Sequence, residues 1–180
     1  MNEGRIFPQD RAVVVRTASP MDADEICSIY NYYVEHTSVS FEERAVRSEE
    51  MAERIKHITA SFPWLVCSEE GRMAGFAFAH LWKARSAYGK TLESSVYIRP
   101  DAFRRGLGSR LYSELLPPLK SQGCHAVIAC IALPNAASVA LHEKFGFRKV
   151  SHFREVGTKF GKWIDIGDWE LLFDSSRGEP

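Results

Sequence analysis

The segment ESSVYIRPDAFRRGLGSRLY, residues 93–112, constrains the fold more than any other part of the chain. A β-type run over residues 94–99 ends at Pro100, and after a turn the basic, glycine-spaced loop 104–109 opens a helical pattern. A strand, loop and helix in this order build an anion cradle, because the unpaired first-turn N–H groups and the positive end of the helix dipole point at a bound phosphate. Since Glu93 begins the strand, the unit predicts a phosphate site beside a potential base. Group transfer from a phosphate-bearing cofactor is the chemistry that this suggests.

The glycine loop alone does not decide the function. It lacks the GxxxxGK[ST] spacing of a P-loop and the GxGxxG spacing of a dinucleotide fingerprint. A plain glycine-rich turn at a helix start remains the alternative. The strand before the loop and the paired arginines within it favour the phosphate site, because guanidinium groups bind phosphate oxygens.

The composition fits one globular domain with a sizeable core, since 45% of the 180 residues are hydrophobic. Lys plus Arg and Asp plus Glu are 23 each, and the formal net charge of zero argues against a nucleic-acid or anionic-membrane binder. The four cysteines form no CxxC motif and no histidine completes a zinc spacing, so no metal is predicted. With no apolar leader and no run that could span a bilayer, we predict a cytoplasmic protein with reduced thiols and no membrane partner.

Hydrophobic periodicity and turn signals give the element order β-α-α-β-β-β-α-β-α-β-β. The prediction is one α/β domain over residues 1–180, with a mixed central sheet of about six or seven strands flanked by about four helices. Residues 1–10 are predicted to be a loose arm, and residues 175–180 a loose tail.

Two further expectations concern the second half of the chain. Pro117 and Pro118 lie inside the apolar pattern of the third helix, which predicts a kink or an early stop there. Two last strands are expected over about residues 148–156 and 165–173, on either side of a turn that contains Gly161.

Several segments, in order, resemble a known family. They are FPWLV (62–66), WKARSAY (82–88), ESSVYI (93–98), RGLGSRLY (105–112), LPNAASVALHE (133–143) and KFGKWIDIGDWELLF (159–173). The chain resembles the GNAT acetyl-CoA-dependent N-acetyltransferases, and within them the phosphinothricin N-acetyltransferase group, which includes enzymes that accept methionine sulfone or sulfoximine. The resemblance implies the GNAT fold. One departure is Phe103, which stands where the family motif usually has Gln or Arg.

The resemblance implies how acetyl-CoA is bound. The pantetheine arm would lie along the strand, and the pyrophosphate over the glycine loop. The start of the fourth helix would contact the pantetheine or phosphate region. The residues implied are Val96, Tyr97 and Ile98 on the strand, Arg104, Arg105, Gly106, Leu107, Gly108 and Ser109 in the loop, and Asn135 and Ser138 on the helix.

Acetyl transfer to an ammonium group needs a base, because the lone pair of the protonated amine is occupied. Glu93 is the carboxylate nearest the predicted cofactor strand, and the family places a catalytic glutamate at the matching position. The alternative is a strand-end glutamate that forms an ion pair with Lys90 or Arg99. A backbone N–H of the same strand, such as that of Val96, is a candidate donor to the acetyl oxygen.

The leaving thiolate needs a proton. His142, in the run ALHEKFGF, stands where many GNAT enzymes have tyrosine, and the phosphinothricin-type enzymes have histidine there too. Imidazole can donate or relay a proton near neutral pH. His142 is equally compatible with a helix residue that only hydrogen-bonds a neighbour. Tyr112 is a weaker candidate acid, and a packed core tyrosine with a satisfied hydroxyl is its alternative.

The predicted substrate contacts lie in three regions. The segment LWKARSAY suits a small anionic amino acid, because a guanidinium can grip a carboxylate or phosphinate with two hydrogen bonds. A solvated basic loop is the alternative. The polar stretch after the first helix and the KFGKW turn are expected to close the pocket, and the resemblance implies that these regions line the substrate site or the dimer contact. The candidate residues are Phe41, Lys83, Arg85, Tyr88, Lys159 and Trp163.

The sequence therefore predicts an acetyl-CoA-dependent N-acetyltransferase that acts directly, in a ternary complex, on the α-amino group of a small amino acid or analogue. A homodimer is implied by the resemblance only. One alternative is acetylation of a peptide N-terminus, a lysine or another amine. A second is a CoA-binding sensor without turnover, which the presence of Glu93 and His142 disfavours.

Overall fold

The computed structural model describes residues 13–173, and the predicted arm and tail lie outside them. The helices are α1 (Ala23–His36), α2 (Ser48–Thr59), α3 (Leu107–Ser121) and α4 (Ala136–Lys144). The strands are β1 (Val13–Thr17), β2 (Trp64–Glu69), β3 (Arg72–Leu81), β4 (Thr91–Ile98), β5 (Ala126–Leu133), β6 (Arg148–Lys149), β7 (Phe153–Lys159) and β8 (Lys162–Leu172).

The strands form one mixed sheet in the order β1-β2-β3-β4-β5-β8-β6, with β7 also paired to β8. Only the β4–β5 pair is parallel among the strand pairs in residues 13–173. The predicted α/β class is confirmed, with eight strands instead of six or seven. The expected strand over 148–156 is two strands, because Ser151 leaves the ladder and its hydroxyl donates a 2.9 Å hydrogen bond to the Asp168 carboxylate.

Helices cover both faces of the sheet, as the apolar strands require. On one face, α1 and α2 bury a layer that includes Ile26 and Ile55 against Trp64 and Phe76. On the other face, α3 packs its leucine stripe against the central strands, with Val127 at 0% exposure in the same cluster. The sheet thus separates two compartments, and the predicted site residues divide between them.

The early stop predicted at Pro117 and Pro118 is wrong, since α3 runs through both prolines to Ser121, and the alternative of a kink stays a prediction. Both prolines are exposed, while Leu115 and Leu119 on the inner side are fully buried. That packing offsets the cost of about 3 kcal/mol that a proline imposes on a helix interior.

Candidate active site

The sheet splits between β4 and β5. The two strands pair at only three positions, the last of which joins Glu93 to Ile128. Beyond this point β4 keeps its pairing with β3 up to Ile98, and β5 keeps its pairing with β8 up to Leu133. Ladder groups of β4 and β5 therefore face a wedge instead of each other. Because strand-edge N–H and C=O groups need partners, the wedge can hold an extended, amide-bearing ligand.

A small space of about 50 Å³ marks this wedge. Four predicted cofactor residues line it, namely Val96 and Tyr97 from β4, and Asn135 and Ser138 from the start of α4. The carbonyl of Ile98 accepts a 2.5 Å hydrogen bond from the hydroxyl of Tyr33, so this end of β4 is held by α1. The amide side chain of Asn135 accepts from the N–H of Ser138 at 3.1 Å and caps α4.

The glycine loop forms a turn at the start of α3. Arg104 and Gly106 have positive φ angles of 62° and 78°, and Gly106 is the N-cap residue. The first helical hydrogen bond runs from Arg110 N–H to the Gly106 carbonyl at 3.0 Å, which leaves the amides of residues 107–109 as first-turn donors. Together with the helix dipole these amides make an anion cradle beside the wedge, which fits a phosphate-bearing ligand.

The arginines of the loop differ in their contacts. The guanidinium of Arg105 donates to the Glu69 carboxylate at 2.7 Å and to the Asp101 carbonyl at 2.6 Å. Arg105 therefore braces the loop against β2. Arg104 is exposed, and so is Phe103, the departure from the family motif.

A buried hydrogen-bonded chain lies below the wedge. The Tyr112 hydroxyl lies 2.7 Å from His142 Nε2 and 3.1 Å from Ser94 Oγ, and His142 Nδ1 lies 2.7 Å from the Ser138 carbonyl. A carbonyl only accepts, so Nδ1 carries the proton and Nε2 accepts from Tyr112. The order of donation is Ser94 to Tyr112 to His142 to Ser138. Burial lowers the pKa of His142, which keeps the ring neutral, and burial raises the pKa of Tyr112.

Glu93 lies where the β4–β5 ladder ends, and its half-buried side chain lines a second, larger space. Burial raises the pKa of Glu93, the charge of His80 opposes this rise, and the negative charge of Asp168 adds to it. Arg99, one suggested ion-pair partner, binds Asp101 at 2.5 Å instead. A carboxyl group with a raised pKa is a stronger base than an ordinary glutamate, as proton abstraction from an ammonium group requires.

Asp168 reaches this neighbourhood through strand register. It pairs directly with Cys130, which follows two residues after Ile128, the partner of Glu93. Because side chains two residues apart in a strand share a face, Glu93, Cys130 and Asp168 lie on the same face of the sheet.

The larger space is a cavity of about 680 Å³ between the sheet, α1, α2 and the segment after α1. Several of its polar groups bind one another. Arg54 donates to both oxygens of Glu42, at 2.6 and 3.1 Å, and to Glu50 at 2.5 Å, while the Tyr30 hydroxyl donates to Glu42 at 2.8 Å. Burial opposes ionisation of Glu42, but the bonds from Arg54 and Tyr30 hold its pKa below the ordinary value. Aromatic rings supply much of the wall, from Tyr30, Phe41, Trp64, Phe76, Phe78 and Tyr97.

The wedge and the cavity adjoin. Ser95, Tyr97, Cys130 and Ala132 line both spaces, and Glu93 lines the cavity at the base of the split. A donor held in the wedge and an acceptor held in the cavity would therefore meet across the gap between β4 and β5.

The predicted substrate residues occupy different places. Phe41 lines the cavity. Lys83, Arg85 and Tyr88 lie on the connection from β3 to β4, and none of them is among the cavity-lining residues in the described part of the chain. Lys83 Nζ lies 3.9 Å above the centre of the Trp82 ring. A direct substrate contact by this connection stays a prediction.

The KFGKW turn connects β7 to β8. Lys159 is 4% exposed, and its Nζ donates to the Ser40 carbonyl. Trp163 is 67% exposed and lies outside the cavity wall as far as residues 13–173 define it. The predicted substrate roles of both residues remain untested.

Sequence reasoning missed several polar residues of the site, namely Glu42, Arg54, His80, Ser94 and Asp168. The position of Ser94 could have been predicted, because side chains alternate along β4 and Ser94 therefore lies on the face opposite Glu93, toward α3. The positions of His80 and Asp168 could not, since their proximity to Glu93 depends on strand pairing.

No group of three metal-ligating side chains that could hold a metal ion occurs within residues 13–173. None of the helices in the same range has the length and apolar character needed to cross a membrane.

The split sheet, the anion cradle and the half-buried carboxylate are features of a group-transfer enzyme. The acetyltransferase (GNAT) domain family matches residues 15–166. The phosphinothricin N-acetyltransferase of Streptomyces viridochromogenes is 40% identical over 167 residues, which cover 93% of this chain and 91% of that protein. The chain therefore belongs to the GNAT acetyltransferase family and is an acyltransferase, as its sequence predicted.

Two further similarities narrow the group. The L-methionine sulfoximine/L-methionine sulfone acetyltransferase of Salmonella typhimurium is 33% identical over 163 residues, which cover 90% of this chain and 95% of that protein. A solved structure of yncA from Salmonella typhimurium, with its cofactor acetyl-CoA, superposes with a TM-score of 0.89 at 31% identity. It covers 94% of this chain and 98% of that chain. The predicted resemblance to the phosphinothricin and methionine sulfone group is confirmed.

Proposed function

We propose that this protein transfers an acetyl group from acetyl-CoA to the α-amino group of a small amino acid or analogue, of the phosphinothricin, methionine sulfone or methionine sulfoximine type. Transfer is direct, within a ternary complex. The observation that carries the proposal is Glu93, a half-buried carboxylate with a raised pKa at the point where the wedge and the cavity meet. The names of the relatives support the choice of substrate class.

Acetyl-CoA supplies an acetyl group activated as a thioester, and the residues present fit its binding. The first-turn amides of residues 107–109 would hold the diphosphate, and the wedge edge of β4 would hydrogen-bond the pantetheine arm. Asn135 and Ser138 line the opposite side of the wedge. The exposed Phe103 leaves these backbone donors unchanged, since it contributes only a side chain at that position.

Glu93 accepts a proton from the acceptor ammonium group, directly or through water, and so frees the nitrogen lone pair. The aromatic cavity holds the remainder of the substrate and limits its size. The chain from Ser94 through Tyr112 to His142 lines or underlies the wedge, and a hydroxyl group of this chain can donate a hydrogen bond to the departing sulfur. Because the Nε2 of neutral His142 accepts from Tyr112, the chain holds no imidazolium proton to give, and the sulfur takes up the second proton that the attacking nitrogen loses.

The proposed homodimer is supported by exposed apolar side chains on the last third of the described chain. Val150, Phe153, Val156, Phe160 and Trp163 are each at least half exposed. Exposed apolar side chains grouped on one region of a surface are typical of protein–protein contacts.

A substrate panel tests the proposed function. Purified protein with acetyl-CoA is assayed for thiol release with phosphinothricin, methionine sulfone, methionine sulfoximine and a set of peptides, and mass spectrometry locates the acetyl group. We expect turnover with at least one amino-acid analogue, acetylated on its α-amino group. Turnover with peptides alone would contradict the proposal and indicate a peptide acetyltransferase instead. Binding of acetyl-CoA without thiol release from any acceptor would indicate a sensor.

Asp168→Asn should shift the pH dependence of kcat/KM. The Asp168 charge raises the pKa of Glu93, so its removal lowers that pKa and leaves the base deprotonated at lower pH. The acid limb of the profile should therefore move to lower pH, with several-fold higher activity at the acid end and a plateau no higher than that of the wild type, because a base with a lower pKa is weaker. Asp165→Asn is the matched control, because Asp165 lies on the same strand but binds His152 at 2.7 Å. An acid limb that stays in place in Asp168→Asn would show that the charge of Asp168 does not set the pKa of the catalytic base.

A further inference from the structure

The β7–β8 hairpin contacts the segment that walls the cavity. This segment, residues 39–42, follows α1, and all four of its residues line the cavity; we call it the cavity loop. Two contacts join it to β7, although more than a hundred residues separate them in sequence. One is polar and involves Lys159, and the other is steric and involves Gly157.

Lys159 is a buried tether. Its side chain is 4% exposed, which is rare for a lysine, and its ammonium group donates to the main-chain carbonyl of Ser40. Burial lowers the pKa of Lys159, while the charges of Glu43 and Glu42 oppose that shift. Since a buried ammonium group is costly unless it is hydrogen-bonded, the position of the Ser40 carbonyl is strongly constrained.

Gly157 is a socket for an aromatic ring. A Cβ atom placed on Gly157 would lie 2.1 Å from Cε2 and 2.7 Å from Cζ of Phe41, far inside contact distance. The Phe41 ring therefore lies directly on the main chain of β7. The absence of a side chain at residue 157 sets how deeply this ring recedes from the cavity.

Gly157 and Lys159 are not among the cavity-lining residues in the described part of the chain. We propose that Lys159 and Gly157 are positioning residues, which fix the cavity loop through the Ser40 carbonyl and the Phe41 ring and thereby set the affinity for the amino-acid substrate. This inference rests on the proposed function and assigns the KFGKW turn an indirect role. Thr158, between the two residues, is exposed and belongs to neither contact.

The test uses Gly157→Ala, with Thr158→Ala as the matched control. The added methyl group must displace the Phe41 ring. A small displacement of a group that positions the substrate can reduce enzyme activity up to about a hundredfold. We expect the KM for the amino-acid acceptor to rise about tenfold or more, with the KM for acetyl-CoA unchanged. Thr158→Ala should change neither value. Equal increases in both KM values would overturn the proposal.

A double variant separates the ring contact from general strain in β7. If Gly157→Ala acts through Phe41, it should cause no further change in a Phe41→Ala background, because the clashing atoms are gone. The same background relieves the clash if the single variant folds poorly. A full effect of Gly157→Ala without the ring would contradict the proposed socket.

A readout without turnover keeps the inference distinct from the proposed function. Hydrogen–deuterium exchange of residues 38–46 should accelerate in Gly157→Ala and in Lys159→Met, and stay at the wild-type rate in Thr158→Ala. If the wild type acetylates none of the amino acids, the proposed function fails while this comparison still tests the tether. Unchanged exchange in both variants would overturn the tether itself.

Discussion

Glu93→Gln is expected to lower kcat on the order of 10²–10⁴-fold, the range that a positioned general base contributes. Glutamine keeps the size and the hydrogen-bonding oxygen of the side chain but cannot accept a proton. Binding of acetyl-CoA should be retained, because the cradle at residues 107–109 does not involve Glu93. Steady-state rates measured from acid to alkaline pH, together with calorimetry of cofactor binding, would check both statements.

Glu170→Gln is the control for this variant. Ile128 on β5 pairs with Glu93 of β4 on one side and with Glu170 of β8 on the other. The two carboxylates therefore lie in one row across the sheet. Of these two glutamates, only Glu93 lines the cavity. Glu170→Gln should therefore keep kcat within the same order of magnitude. A Glu93→Gln variant as fast as the wild type at neutral pH would exclude Glu93 as the base.

The raised pKa of Glu93 also fixes the direction of the pH effect. The base works only when deprotonated, so kcat/KM should fall as the pH decreases through the raised pKa. In Glu93→Gln the residual rate should lose this acid limb. An acid limb that survives unchanged in the variant would belong to another group, and the large loss of kcat would then need another cause.

The strand, loop and helix over residues 93–112 could be predicted because their signals are local. Pro100 ends an extended run, and the glycines of the loop allow the positive φ that Gly106 adopts. The helix pattern was correctly located, but its prolines were misread. Local preference predicted a kink or an early stop at Pro117 and Pro118, whereas α3 continues to Ser121 with Leu115 and Leu119 buried.

The chemistry of the site was less accessible, because it depends on pairing between distant strands. Asp168 lies near Glu93 only through the registers of β4, β5 and β8. Lys159 illustrates the same limit, since its buried ammonium group donates to the carbonyl of Ser40, a residue far away in the sequence. The substrate contact suggested by its residue type stays a prediction, whereas its main-chain partner could not be predicted from the sequence.

Gly106→Val should raise the KM for acetyl-CoA about five- to a hundredfold while leaving kcat largely unchanged. Gly106 has a φ of 78°, and a β-branched residue there is strained by about 1–3 kcal/mol. If the loop relaxes to relieve this strain, the first-turn amides of α3 no longer converge on one anion, and binding must restore the strained form. At about 1.4 kcal/mol per tenfold change, that cost gives the expected range.

Gly123→Val is the matched control, because Gly123 has a φ of 82° and, like Gly106, nothing within 4 Å of an added Cβ. It follows the C-terminal end of α3, on the turn into β5, away from the cradle. Both variants should lose similar stability in denaturant melts, since both carry the same backbone strain. Only Gly106→Val should weaken the binding of acetyl-CoA in calorimetric titration. If both variants weaken this binding equally, the loss reflects general destabilisation, and binding of the diphosphate does not depend on the turn at Gly106.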